Sequence, residues 1–442
     1  RMYFVYLFVA LAVVAAVLTR SKRSVEVHTT PEFKSFKQNY LAVYLLAMAA
    51  DWLQGPYVYA LYSHYGYTKA DIGVLFIVGF GSSALFGTFA GSMADKWGRK
   101  NACLLYAVLY IASCLTKHSP SFSILVVGRL TGGIATSLLF SSFESWLVSE
   151  HHKRFFPPEW LETVFSQAVL GNSVVAIVSG QAANLAVNQF GVVAPFDVAI
   201  VVLLAMGGLV FTTWAENRGS DAHAGSGGTP DSRSSLAQAI SAFTSDPKVL
   251  MLGVAQSCFE GAMYIFVFMW TPKMEPLFTD LPHGQVFACF MVCCMIGSAC
   301  VGKLLAWRPA HSYMRHIFAL AALSMFVAGW TTNRHLLVGC FMVFEVLCGV
   351  FWPSLGMLRS TYVPEEARST IMNIYRIPLN VTVVSVLANL SSISNETVFY
   401  ICGFLLGVAT IAMSVFNQNV RPVQPTEAEM EQQQPLSSST EA

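Results

Sequence analysis

Long apolar stretches, each about the length needed to cross a bilayer, recur along the whole chain. A membrane-spanning helix needs about 20 mostly apolar residues. On this pattern we predict one helix near residues 2–19 and twelve more after it. These twelve are predicted near 38–62, 70–93, 101–117, 121–148, 162–189, 192–214, 248–271, 284–306, 313–331, 335–358, 369–392 and 396–417. The chain is therefore expected to be an all-α membrane protein.

Polar segments divide these helices into groups. The run ENRGSDAHAGSGGTPDSRSS in residues 215–247 predicts a flexible linker between six-helix bundles at 38–214 and 248–417. Residues 418–442 are rich in Gln, Ser and Glu, which predicts a disordered tail. Residues 1–24 hold the extra N-terminal helix. We interpret it as a retained signal anchor, because its positive charges follow the apolar run.

The positive charges fall mostly on one side of the predicted bundle. Of the 26 Lys and Arg residues, the opposite side receives Arg1, Lys69, Lys117, Lys273 and Arg334. Loops that face the cytosol carry the excess of positive charge in membrane proteins. We therefore expect a multi-pass protein, in the plasma membrane, with the linker and the C-terminus in the cytosol.

Composition excludes several classes of function. The chain is 55% hydrophobic and 12% charged, and its net charge of +1 offers no field for nucleic acid. Its ten cysteines lie inside apolar stretches, which is typical of core residues rather than of disulfides or metal ligands. The sequence carries no catalytic constellation and no cofactor or metal motif. We therefore expect a non-enzymatic protein whose partners are the lipid bilayer and a small molecule.

Seven charged residues lie within the predicted helices. One charge at the centre of a bilayer costs about 2.5–3.5 kcal/mol on insertion scales. Most of these side chains must therefore form pairs or line a wet cavity. The seven are Asp51, Arg129, Glu144, Asp197, Glu260, Glu345 and Arg376.

Arg376 stands in the stretch NIYRIPLN, where Pro378 frees a backbone carbonyl nearby. Anions bind well to planar guanidinium groups and additional hydrogen-bond donors. Arg376 and Arg129 are the candidate cationic ligands of such an anion. The candidate hydrogen-bonding ligands are Asn373, Tyr375, Tyr57 and Gln54.

Acids at the same depth are candidate proton carriers, namely Asp51, Glu260 and Glu345. A purely structural interpretation stays open for the arginines. Arg129 would then neutralise Asp51 or Glu345, and Arg376 would form a bridge to Glu260 or Glu345.

The loop GSMADKWGRK, at residues 91–100, resembles the signature loop of the major facilitator superfamily. Residues 129–135, RLTGGIA, resemble the motif of the fourth helix in that superfamily. The resemblance implies a 6+6 helix bundle with Asp95, Arg99 and Glu144 in a cytosolic gate. It also implies a coupling role for Arg129, with Asp51 as its candidate partner.

The stretches AADWLQGPYVYALYSHY, GRKNACLL, LLFSSFESW and NIYRIPLN are similar to the molybdate-anion transporter family. The likeness runs over most of residues 1–415, and it implies uptake of molybdate by alternating access. Two alternatives stay open. One is a proton-coupled carrier of another solute, such as a sugar, a drug or an organic ion. The other is a solute sensor or membrane scaffold without turnover.

Overall fold

The computed structural model describes residues 2–20, 29–218, 241, 245–364 and 368–420. For some of these residues, among them Asp95 and Asn373, it describes the backbone alone. Most of the predicted linker and nearly all of the predicted tail lie outside the described residues.

The first group of helices runs from α1 to α9. Their bounds are α1 Met2–Arg20, α2 Pro31–Gln54, α3 Val58–His64, α4 Lys69–Trp97, α5 Arg99–Thr116, α6 Phe122–Leu139, α7 Ser142–Lys153, α8 Pro158–Phe190 and α9 Ala194–Thr213. We call α2–α9 the first half.

The second half comprises α10 to α15. Their bounds are α10 Pro247–Met274, α11 His283–Trp307, α12 Ala310–Trp330, α13 Arg334–Tyr362, α14 Arg368–Ala388 and α15 Asn395–Asn419. Judged by length and composition alone, ten helical segments among the described residues are long and apolar enough to cross a membrane. When α2–α3 and α6–α7 are each counted as one span, the described helices form one N-terminal, six first-half and six second-half spans. The predicted arrangement of 6+6 spans plus an N-terminal helix is confirmed.

Two predicted helices are interrupted. A 3-10 turn at Gly55–Tyr57 divides the span predicted at 38–62, because Pro56 has no amide hydrogen to continue the α-helical ladder. The span predicted at 121–148 is divided where α6 ends at Leu139 and α7 begins at Ser142.

Side-chain caps fix where several helices begin. Thr68 and Asp71 form a capping box at the start of α4, in which each side chain accepts from the other residue's backbone N–H. The Thr30 and Ser394 hydroxyls accept from backbone N–H groups in the first turns of α2 and α15. Short polar turns between apolar runs therefore set the helix boundaries.

Successive spans run in opposite directions, so their connections lie on two opposite faces. We call the face that carries the start of α4 the Lys69 face, and the face that carries the start of α5 the Arg99 face. The centre of the second half is formed by α10 and α13, since 67% of the most apolar part of each is buried.

Helix α1 packs on the second half although it precedes the first half in the chain. Phe4 is buried, and its ring centroid lies 5.4 Å from that of Phe278. Ala15, further along α1, packs against Val292 and Ile296 of α11. The N-terminal helix is therefore an outer element of the second half.

The two halves meet mainly through two helix pairs, α4 with α14 and α8 with α11. Each pair is closest at glycines near the Lys69 face. A Cβ on Gly284 would lie 2.3 Å from the carbonyl oxygen of Gly180, and a Cβ on Gly73 would lie 2.9 Å from that of Leu387. Glycine is required where backbones approach this closely.

Candidate functional site

Tyr57 closes the contact between the halves at the Lys69 face. Its hydroxyl donates to Asn184 Oδ1 of α8 and accepts from the backbone N–H of Gly284 of α11, each at 3.2 Å. Nearby, Lys69 Nζ donates to Asn395 Oδ1 at 2.9 Å. Tyr57, predicted as a substrate ligand, therefore lies in the inter-half contact itself.

A layer of aromatic rings lies between the halves. Phe268 of α10 packs edge-on against Tyr59 and Phe76 of the first half, with ring centroids 5.2 and 5.0 Å apart. Phe80 and Tyr264 extend the layer, with centroids 5.4 Å apart. Together with the glycine contacts, this layer seals the bundle at the Lys69 face.

Arg129 of α6 lies against α4. Its Nε donates to the Leu75 carbonyl at 3.1 Å, and its guanidinium carbon lies 4.7 Å from the centroid of the Phe76 ring. The guanidinium also passes Gly79 so closely that a Cβ there would lie 2.4 Å from an Arg129 nitrogen. Arg129 is thus held by a carbonyl, a ring face and a glycine surface.

The structure does not join Arg129 to Asp51 or to Glu345 in an ion pair within the described residues. Asp51 instead accepts a hydrogen bond from the Tyr110 hydroxyl of α5. Tyr106, one turn earlier on α5, donates to the Ala47 carbonyl at 2.9 Å and fixes α5 against α2. The first-half acid and arginine therefore have separate surroundings.

In the second half, Glu260 of α10 is the centre of a charged group. Gln256 Nε2 donates to Glu260 Oε1 at 2.9 Å. The carboxylate is also within electrostatic range of Arg359 of α13 and Arg376 of α14. Tyr264, which contacts the first half through Phe80, interacts with both Glu260 and Arg376. This group therefore lies close to the plane between the halves.

Glu345 of α13 has different neighbours. It is 8% exposed, and it lies near the thiols of Cys293, Cys294 and Cys348. Within the part of the chain that the structure describes, its carboxyl pairs with neither Arg129 nor Arg376.

Gln54 and Tyr375, two other side chains predicted to bind substrate, make hydrogen bonds within their own half of the protein. Gln54 Nε2 donates to the Ala50 carbonyl at 3.0 Å. The Tyr375 hydroxyl donates to the Val249 carbonyl at 2.5 Å, and the ring packs on Gly253. The side chain of Asn373 lies outside the described residues. Gln54 and Tyr375 thus have structural contacts in this conformation.

A cavity of about 840 Å³ opens at the Arg99 face of the first half, and Arg99 and Glu144 both line it. The Arg99 loop is held by residues that follow α9. Glu216 accepts from the backbone N–H groups of Lys100 and Asn101 at 3.0 and 3.2 Å. The side chain of Asp95, the third predicted gate residue, lies outside the described residues.

Two cations near the predicted site were not predicted. Arg359 lines a smaller cavity of about 330 Å³ at the Arg99 face, one residue beyond the predicted end of its helix. Lys117, predicted at the end of the span 101–117 and counted among the charges of the side opposite the cytosol, is 1% exposed. Burial, and secondly the neighbouring Arg129, lower the pKa of Lys117, in the α5–α6 loop, to about 7.

Comparison with known proteins agrees with this architecture. A sequence profile described as sugar transporters with 12 TM matches residues 2–344. The solved structures similar to this chain include the inward-open xylose transporter XylE from E. coli, with a TM-score of 0.66 at 13% identity. That match covers 90% of this chain and 99% of XylE. A POT family peptide transporter gives a TM-score of 0.69 at 11% identity, covering 88% and 98%.

Proteins with similar sequences identify the family more closely than the solved structures do. A molybdate-anion transporter of Takifugu rubripes is 34% identical over 402 residues, which is 85% of this chain and 83% of that protein. Another, from Danio rerio, is 34% identical over 403 residues with the same coverage. Their likeness extends over both halves and agrees with a non-enzymatic transporter. The chain belongs to the molybdate-anion transporter family of the major facilitator superfamily.

Proposed function

We propose that the chain carries molybdate, or a closely related tetrahedral oxyanion, across the membrane by alternating access. The observation that supports this most is the kinship with molybdate-anion transporters over more than four fifths of the chain. The bundle is closed by Tyr57, the glycine pairs and the aromatic layer at the Lys69 face. Substrate therefore exchanges at the Arg99 face in this conformation.

The charged group of the second half is the proposed substrate site. Arg376 and Arg359 are both within electrostatic range of a single carboxylate, Glu260. Guanidinium groups bind the oxygens of tetrahedral anions through paired N–H donors. Arg129 supplies a third cation from the first half. Binding that contacts both halves couples the anion to their rocking motion.

Orientation is part of the proposal. The Arg99 face carries most of the Lys and Arg residues, so we place it in the cytosol of a plasma-membrane protein. With the Lys69 face outside, the described conformation is the one that releases cargo inward. Arg99 and Glu144 then flank the cytosolic opening, in keeping with a gating role.

Molybdenum uptake into cells tests the proposal directly. Cells expressing Arg376→Ala at the surface abundance of wild type should accumulate molybdenum at a rate lower by about tenfold or more, because a charge-assisted contact contributes about 1.5–3 kcal/mol. Arg315→Ala is the matched control, since Arg315 is a surface arginine of the Arg99 face outside the charged group. Wild-type uptake in Arg376→Ala would remove Arg376 from the site.

A second candidate is a proton-coupled carrier of a neutral or cationic solute. The profile that matches residues 2–344 is described as sugar transporters, which favours testing sugars first. Proteoliposomes containing the purified chain separate the candidates. Saturable counterflow of a sugar without counterflow of molybdate would support the second candidate. Binding of molybdate without counterflow would instead support a sensor.

A further inference from the structure

Lys117 is a buried lysine that forms no ion pair with any carboxylate in the described part of the chain. Its ammonium group lies in the interior and makes no hydrogen bond to a described residue. A buried charge is normally paired, since an unpaired one is costly. Lys273, the comparable lysine of the second half, follows this rule. It donates to the Gly329 carbonyl at 3.3 Å and lies 3.8 Å from a Glu396 oxygen.

The groups around Lys117 are cationic or proton donors. Its Nζ lies 5.5 Å from the centroid of the Tyr62 ring, and it interacts electrostatically with Arg129. The Tyr62 hydroxyl is buried and near Arg129, but has no partner at hydrogen-bonding geometry in the described chain. Gly128 allows the close approach, because a Cβ there would lie 3.2 Å from Lys117 Nζ.

Two cationic side chains and a phenol, brought together in the interior, favour an anion between them. We propose that Lys117, Tyr62 and Arg129 form an entry site for a small tetrahedral oxyanion, which opens toward the Lys69 face. We call these three residues the entry cluster. The identity of the anion rests on the proposed function, whereas the cation cluster itself does not.

Geometry explains why the entry cluster is sealed in this conformation. Phe76, on which the Arg129 guanidinium packs, belongs to the aromatic layer that contacts Phe268 of the second half. Separation of the halves at the Lys69 face removes Phe268 from this layer and uncovers the side of Arg129. An anion arriving from that face then meets Arg129 and Lys117 before it reaches Glu260 and its arginines.

Binding to the purified full chain in detergent tests the entry cluster. Sodium molybdate is titrated against sodium gluconate at equal ionic strength, and its Kd is measured by calorimetry. Lys117→Gln should weaken binding by about tenfold because it removes the positive charge, and Tyr62→Phe by about threefold because it removes a hydroxyl donor. Lys273→Gln, the matched control, should keep the wild-type Kd.

The KM for molybdate can also be measured separately at each face of the membrane. A lysine with a purely structural role would not change the KM at one face alone. In sealed vesicles, Lys117→Gln should raise the KM for molybdate added at the Lys69 face about tenfold. The KM for molybdate added at the Arg99 face should stay at the wild-type value. Lys117→Arg keeps the charge and should therefore restore the wild-type KM at the Lys69 face. If Lys117→Gln does not fold, Lys117→Arg still tests the proposal, and a raised KM in this variant would contradict it.

The outcomes separate this proposal from the proposed function. Wild-type molybdate binding that is unchanged in Lys117→Gln and Tyr62→Phe would overturn the entry cluster alone. Absence of molybdate binding and uptake in the wild type would overturn the proposed function. Chloride that binds through Lys117 while molybdate does not would overturn the assignment of an oxyanion.

Discussion

The guanidinium carbon of Arg129 lies 4.7 Å from the centroid of the Phe76 ring, and that same ring packs edge-on against Phe268 of the other half. A cation over an aromatic face contributes about 0.5–2 kcal/mol, more when water is excluded. Phe76 therefore links the charge of the first half to the closure between the halves. A change in the position of the Arg129 guanidinium is therefore expected to affect closure between the halves, and a change in closure is expected to affect Arg129.

Gly79→Ala tests the placement of Arg129. The new methyl group would lie 2.4 Å from a guanidinium nitrogen, so Arg129 must move away from Phe76 and from the Leu75 carbonyl. We expect the initial rate of molybdenum uptake to fall about tenfold at equal surface abundance. Gly81→Ala is the control, because nothing lies within 4 Å of its added Cβ. Equal uptake by both variants would contradict the prediction.

Tyr57→Phe should loosen the Lys69 face. It removes the hydroxyl that joins Asn184 and Gly284, and each hydrogen bond contributes about 0.5–1.5 kcal/mol. The population with that face open should rise about twofold to tenfold. Spin labels at His64 and Thr332, on a background without native cysteines, would report it as a longer distance.

The control for this change is Tyr67→Phe. The Tyr67 hydroxyl donates to the Pro120 carbonyl within the first half, so its loss leaves the contact between the halves intact. A distance distribution that shifts as much in Tyr67→Phe as in Tyr57→Phe would refute the role of Tyr57 in closure.

Gly284→Ala should prevent closure more strongly. The added Cβ would lie 2.3 Å from a backbone carbonyl oxygen, so α8 and α11 must separate. We expect the same pair of labels to show mainly the longer distance, with transport slowed about tenfold or more. Gly302→Ala, on the same helix, meets nothing within 4 Å and should behave as wild type. A normal transport rate in Gly284→Ala would show that the helices tolerate separation.

Glu345→Gln tests coupling to protons. Glu345 is buried and has no cation at its carboxyl among the described residues, which makes it the candidate carrier of a coupled proton. If it carries the coupled proton, wild-type uptake in vesicles should rise with an imposed proton gradient and the variant should lose that response. Glu162→Gln, an exposed position on α8, is the control. A retained gradient response in Glu345→Gln would assign coupling elsewhere.

Anion binding at the entry cluster should depend on pH. Lys117 faces Tyr62 of α3, Cys114 of α5 and Arg129 of α6, and its pKa is lowered to about 7 by burial and by Arg129. The lysine is charged below that value, so molybdate affinity should fall as pH rises from about 6 to about 8. Lys117→Gln should flatten this dependence in the same titration. A wild-type affinity that stays constant over this range would contradict the prediction.

Helix positions were predictable because apolar length and polar turns are local properties. The span predicted at 162–189 was observed at Pro158–Phe190, and the one predicted at 284–306 at His283–Trp307. The 3-10 turn at Gly55–Tyr57 was missed, since the apolar run continues through it. Its signal was Pro56, which removes a helical hydrogen bond wherever it stands.

The site was less predictable, because partners are chosen by helices that are distant in sequence. Asp51 and Arg129 are both near the middle of the first half, but Tyr110 binds the Asp51 carboxylate. The burial of Lys117 was not predicted, because a hydropathy pattern contains no information on which helix ends are covered by other helices. Arg359 was not predicted as a site residue, because its helix continues beyond the apolar residues that defined the predicted span.

The position of α1 limits the amplitude of the transport cycle. This helix packs on the second half, while the chain that follows it enters the first half at Thr30 and Pro31. The backbone between Arg20 and Thr29 can extend by at most about 3.3–3.6 Å per residue, or about 30 Å in all. It is thus a tether of fixed maximum length across the moving boundary, and shortening it should restrict how far the halves can swing apart.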